Sequence, residues 1–140
     1  MIGMVIVTHG TLANALRDAM EHVVGKQKNL ATVCIESDAE IEGQRAEIAA
    51  RMAEVDSGDG VILLTDMFGG TPSNLAMSMV NQPGVEILGG VNLPMLVKLG
   101  KIRGQQTLAE AVQCAEAAGR KYICSGHEVQ NPACAPRAAE

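Results

Sequence analysis

Apolar residues along the chain fall into two alternating patterns. Ile2 to Val7 is a run of β-branched residues and Met, with one Gly, ending at Thr8-His9-Gly10. From Thr11 to Val24 the apolar positions Leu12, Leu16, Ala19, Met20 and Val23 recur at helical spacing, and Gly25 stands where such a helix stops. Leu30 to Ile35 reads as a second strand. Ser37 and Glu40 have capping-box spacing and open a helix to Val55, with Ile41, Ile48, Met52 and Val55 on one face. Val61 to Thr65 is a third strand and Pro72 to Val80 a third helix, with Thr71 at its N-cap and Pro72 in the first helical position. Val85 to Leu88 is a fourth strand, extending to Val91. A short helix starts at Pro94, and Thr107 with Glu110 caps another running to Ala118. Tyr122 to Cys124 reads as a last short strand, and Ser125 to Glu140, rich in Pro and Ala, as a loose tail.

Strands that are apolar throughout, separated by helices, predict a parallel sheet covered on both faces. Right-handed crossovers then give an α/β fold: an open, doubly wound, mainly parallel sheet. The expected order is 2-1-3-4, with the short C-terminal strand at an edge. A length of 140 residues suits one domain, 1–124, followed by the tail 125–140. In such sheets ligands sit beyond the carboxyl ends of the strands, where strand order reverses.

Composition narrows what can bind there. With one Phe, one Tyr and no Trp, stacking on several aromatic rings is not available. A formal net charge of -5 gives no electrostatic footprint for nucleic acid or an anionic membrane surface. The longest apolar runs fall far short of the roughly 20 residues of a bilayer helix. The N-terminus lacks the basic start of a signal peptide, so a cytoplasmic protein with reduced thiols is expected. Cys34 and Cys114 read as small buried hydrophobes. Cys124, His127 and Cys134 fit no compact ligand pattern, and neither a metal nor a cofactor is expected.

The strand ends carry the candidate chemistry. The first ends in His9-Gly10 and the third in Asp66, followed by Met67-Phe68-Gly69-Gly70-Thr71-Pro72-Ser73-Asn74. In the order 2-1-3-4 these two strands are neighbours, so His9 and Asp66 face each other across the crevice. A neutral imidazole attacks through the nitrogen that lacks a proton. A carboxylate on the other nitrogen fixes the tautomer and stabilises the cation formed. Gly69-Gly70 lets the backbone approach a bound group closely, and Thr71 supplies a hydroxyl and amides suited to phosphate oxygens. Ser73, on the same loop, is counted with them. An ordinary strand-to-helix turn would use the same Gly and Thr; it is the His–Asp pair alongside that points to a phosphoryl group on His9. Phe68 either walls the site and touches a partner or simply packs. His22, near a helix end, and His127, in the tail, read as structural or solvated.

With these residues assembled, the sequence resembles a known family, the IIA component of the mannose-type sugar phosphotransferase system. The matching pieces are Met1-Ile2-Gly3 leading to Thr8-His9-Gly10, Leu64 to Asn74, and Gly90-Val91-Asn92-Leu93-Pro94-Met95. The resemblance implies a phosphotransferase. His9 takes a phosphoryl group from the histidine-containing phosphocarrier protein and gives it to a IIB component, here expected on a separate chain. The family's carboxylate maps onto Asp66, and its phosphate-facing hydroxyl and amides onto Gly70 and Thr71. A homodimer is implied too, in which Tyr122 to Cys124 adds to the partner's sheet, with membrane contact only indirectly through a permease.

Other readings of the same residues remain in play. A histidine phosphatase also sets His-Gly after a first strand, but it wants an Arg before the His, and Thr8 stands there. A flavodoxin-like module would hold an anion or nucleotide at the glycine loop without covalent chemistry. A phosphorylation-state reporter would keep the chemistry and serve regulation without a permease.

Overall fold

The structure is a computed structural model that describes residues 1–38 and 40–130. Its elements run β1 (Gly3–His9), α1 (Leu12–Val24), β2 (Leu30–Ile35), α2 (Ile41–Val55), β3 (Val61–Thr65), α3 (Thr71–Met77), β4 (Val85–Leu88), α4 (Leu93–Ile102), α5 (Leu108–Lys121) and α6 (Gly126–Val129). The four strands form one parallel sheet in the order β2-β1-β3-β4, as the sequence predicts.

Side-chain alternation along the strands builds two cores. Ile2, Met4 and Ile6 point to the side of α1, α4 and α5, where they pack with Met20, Leu96, Leu99 and Ala115. Val5 and Val7 point to the other side, where Ile48, Met52, Val55 and Leu75 cover them from α2 and α3. His9 shares the parity of Val5 and Val7, so its side chain emerges on the α2/α3 face. It is the only exposed residue of β1, because the strand there runs past its cover.

The opposite end of the sheet is tied by Arg103, which follows α4 and is 2% exposed. Its guanidinium donates to the carbonyl oxygens of Ile2 (3.1 Å) and Asn29 (2.9 Å), to Gln27 Oε1 (3.0 Å) and to the carbonyl of Lys28. Burial pushes its pKa down to about 10, so it remains charged at neutral pH.

Several boundaries differ from expectation. Tyr122 to Cys124 is not a strand in this chain: α5 continues past Ala118 to Lys121, and the residues after it lead directly into α6. A three-residue strand needs a ladder partner, whereas extending α5 supplies its own hydrogen bonds. The segment after Ser125 is not wholly loose either, because Ser125 and Glu128 form a capping box that opens α6. Cys134 and the rest of 131–140 lie outside the described residues. Helix α2 begins at Ile41 with Glu40 as N-cap, so Ser37 and Glu40 do not form the expected box. Thr71 is the first residue of α3 and Gly70 its N-cap, one position earlier than predicted, and the helix ends at Met77. β4 stops at Leu88, before Gly89 and Gly90; Gly90 has φ +72, which no strand continues through. The Thr107–Glu110 box on α5 forms as predicted.

Candidate functional site

β1 and β3 run side by side, with Val7 level with Thr65, and this register brings His9 and Asp66 together beyond the ladder. His9 Nδ1 lies 2.7 Å from Asp66 Oδ2, and the same oxygen accepts the His9 backbone N–H at 3.0 Å. Asp66 Oδ1 accepts the Met67 N–H at 3.0 Å. Burial pushes the Asp66 carboxyl up, but the His9 amide, the His9 ring, the Met67 amide and the ring's charge outweigh it, and its pKa lies below the ordinary 3.8. An ionised carboxylate only accepts, so in the neutral ring Nδ1 carries the proton and Nε2 has the free lone pair.

The glycine loop fixes where Nε2 looks. A Cβ on Gly70 would stand 2.8 Å from His9 Cε1 and 2.9 Å from Nε2, so the ring lies against bare backbone there. Ser73 is buried under the loop. Its hydroxyl donates to the Gly70 carbonyl (2.9 Å) and accepts the Gly69 N–H (3.1 Å), which holds the loop's shape. The Thr71 and Ser73 amides head α3, where a helix supplies no acceptor of its own. Phe68 lies on the far side of the loop, 57% exposed, with its ring seated on Gly89 so closely that a Cβ there would be 2.5 Å from it. His22 and His127 take no part: one is in α1 and the other in α6.

His9 is 51% exposed at its side chain and Asp66 15%, so the ring is accessible while its partner is sheltered. A cleft of about 540 Å³ opens beside His9, lined by Gly10, Glu36, Ser37, Gln44 and Thr71 among others. Gln44 was not legible as a site residue. The signal that could have found it is a polar residue in the apolar stripe of α2, between Ile41 and Ile48. Its Oε1 is shielded from solvent and accepts no hydrogen bond, a state that costs about 1–3 kcal/mol.

Residues 3–116 match the family EIIA-man, described as PTS system fructose IIA component. The chain belongs to this family. The chain is 32% identical over 142 residues to the PTS system mannose-specific EIIAB component of Escherichia coli (strain K12), covering 99% of this chain and 44% of that protein. The IIA chain thus spans less than half the length of that relative. It is 27% identical over 130 residues to the PTS system fructose-specific EIIA component of Bacillus subtilis (strain 168), covering 91% of this chain and 89% of that one. Its fold matches the crystal structure of phosphotransferase system component EIIA from Streptococcus agalactiae with a TM-score of 0.81 at 22% identity, covering 89% and 97% of the two chains. This protein is a IIA component of a sugar phosphotransferase system. Among the described residues no helix is long and apolar enough to cross a membrane.

Proposed function

We propose that this IIA component carries a phosphoryl group on His9 Nε2, taken from the histidine-containing phosphocarrier protein and passed to a IIB component, for sugar uptake or its regulation. The observation that carries this reading is the 2.7 Å contact of His9 Nδ1 with Asp66, which makes Nε2, lying against the Gly70 loop, the lone-pair nitrogen of the neutral ring. In the transfer, the P–N bond of the donor histidine breaks and its electron pair returns to the donor ring. A new P–N bond forms at Nε2, and the His9 ring, still protonated at Nδ1, becomes a cation that Asp66 stabilises. The amide and hydroxyl of Thr71, with the Gly70 backbone, receive the phosphoryl oxygens, and Ser73 holds the loop that presents them. Residues 1–124 make up the carrier unit in this reading, and it works in the cytoplasm. Phe68 and Met67, both exposed beside the site, are the apolar contacts a partner would meet.

The chain acts as a homodimer in the same reading. β4 is a terminal strand of the sheet, and Ile123, 76% exposed, overhangs the groove beside it. A partner's Tyr122 to Cys124 added to that edge would cover both.

The test of the carrier role is label transfer from the phosphorylated carrier protein to wild type and to His9→Ala. Wild type should take up a label that survives base and is lost in acid, and His9→Ala should take up none. Undiminished labelling of His9→Ala overturns the assignment and moves it to His22 or His127.

A further inference from the structure

Helix α2 forms one wall of the cleft through Ile41 and Gln44. Helix α2 faces the sheet with Ile48, Met52 and Val55, all buried. One turn before Ile48 the stripe becomes polar, at Gln44, where it borders the cleft shared with His9 and Thr71. The Gln44 Oε1 is sealed from solvent without a donor. Its NH2 end makes no hydrogen bond among the described residues and is the end left to meet the cleft. A Leu at this position would leave no buried acceptor unpaired, so stability of the unloaded protein does not account for Gln44.

The charge around the cleft sharpens the point. Among the described residues no Lys or Arg lines it, while Glu36 does. A phosphoryl group arriving on His9 therefore finds no cation among the lining residues and must be held by neutral donors. Thr71 stands on one side of the cleft; the other side offers Gln44.

We infer that Gln44 is a phosphoryl-binding residue, whose side-chain NH2 donates to an oxygen of the group on His9 from across the cleft. This rests on the phosphocarrier reading and adds a second wall to its site. A donor that engages only the loaded state stabilises that state, so it shifts the position of the transfer equilibrium. A residue that merely helps the partner dock alters how fast equilibrium is reached and leaves its position alone.

The experiment mixes the phosphorylated carrier protein with wild type, Gln44→Leu or Gln44→Glu and measures the share of label on each protein at equilibrium. Gln44→Leu should lower the transfer equilibrium constant about tenfold, the lower range for one hydrogen bond to a charged group. Gln44→Glu should lower it about tenfold or more, because it sets a carboxylate against an anion. Thermal melts should find Gln44→Leu at least as stable as wild type, since it extends the apolar stripe, so a shift there is not a folding defect. An equilibrium constant within twofold of wild type in both variants overturns the inference, whatever happens to the rate. Absence of label on wild type itself overturns the phosphocarrier reading and this inference with it; label on wild type with unmoved variants removes Gln44 alone.

Discussion

Asp66 accepts from the ring and the main chain of His9 through one oxygen and from Met67 through the other. Replacing it with Asn therefore sets an NH2 group against a donor on one side. Asp66→Asn should slow phosphoryl acceptance on the order of 10²-fold, because the ring loses the partner that fixes its tautomer and steadies its charge. It should also lower stability at pH 7 by about 1.5 kcal/mol, the lower range for hydrogen bonds to a charged group. The stability difference has a defined pH dependence. The folded pKa lies below 3.8, so folded Asp66 holds its proton less tightly than the unfolded chain does. Its contribution is complete above that value and is lost as pH falls through the folded one. Urea unfolding of wild type and variant at pH 7, 5 and 3 checks this, and a gap that persists undiminished into acid contradicts it.

The turn from β3 into α3 lies against the His9 ring, and Gly70 is its tightest point. Gly70→Ala would drive a methyl group into the His9 ring, whose exposed side chain can swing away at little cost to the fold. Stability should change by less than about 1 kcal/mol, as for a site free to relax, while label uptake should fall on the order of 10²-fold through misplacement of the nucleophile. Normal uptake by Gly70→Ala would show that the ring's position is not critical. The His9–Asp66 encounter was legible in the sequence because strand order alone brings β1 and β3 together and both residues lie just past apolar runs. The start of α2 was not: Ser37 and Glu40 have the spacing of a cap, but the helix begins at Ile41 and neither side chain caps it. The strand expected at Tyr122 to Cys124 rested on apolar character without a pairing partner, and these residues instead join the end of α5 to α6. Gln44 escaped notice because one polar residue in a helix reads as solvent-facing until the sheet shows which side is covered. The seating of Phe68 on Gly89 joins two loops that only the folded sheet makes neighbours.

For the molecule as a whole, the assembly proposed above predicts a mass. Light scattering after chromatography should give a dimer mass for the full chain, twice its 14.6 kDa, and twice its own smaller mass for a chain ending at Ser125, but a monomer or aggregate for one ending at Gly119. A monomeric full chain at micromolar concentration would refute strand exchange. The two ends of the sheet are also physically separate, since the seven residues of β1 place Arg103 on the order of 20 Å from His9. Effects at such a distance add without coupling. Arg103→Met leaves the Ile2, Lys28 and Asn29 carbonyls and Gln27 without their shared donor, a loss of about 3 kcal/mol or more. For a chain of this size that lowers the melting point by about 10 °C, which calorimetry can read. His9 and its loop would be untouched at temperatures where the variant stays folded. The buried arginine thus offers a conditional allele: a chain with His9 and its loop intact in the cold that unfolds on warming. A cell holding it could be switched from one state to the other by temperature alone, without an inhibitor and without altering His9, Asp66 or the loop beside them.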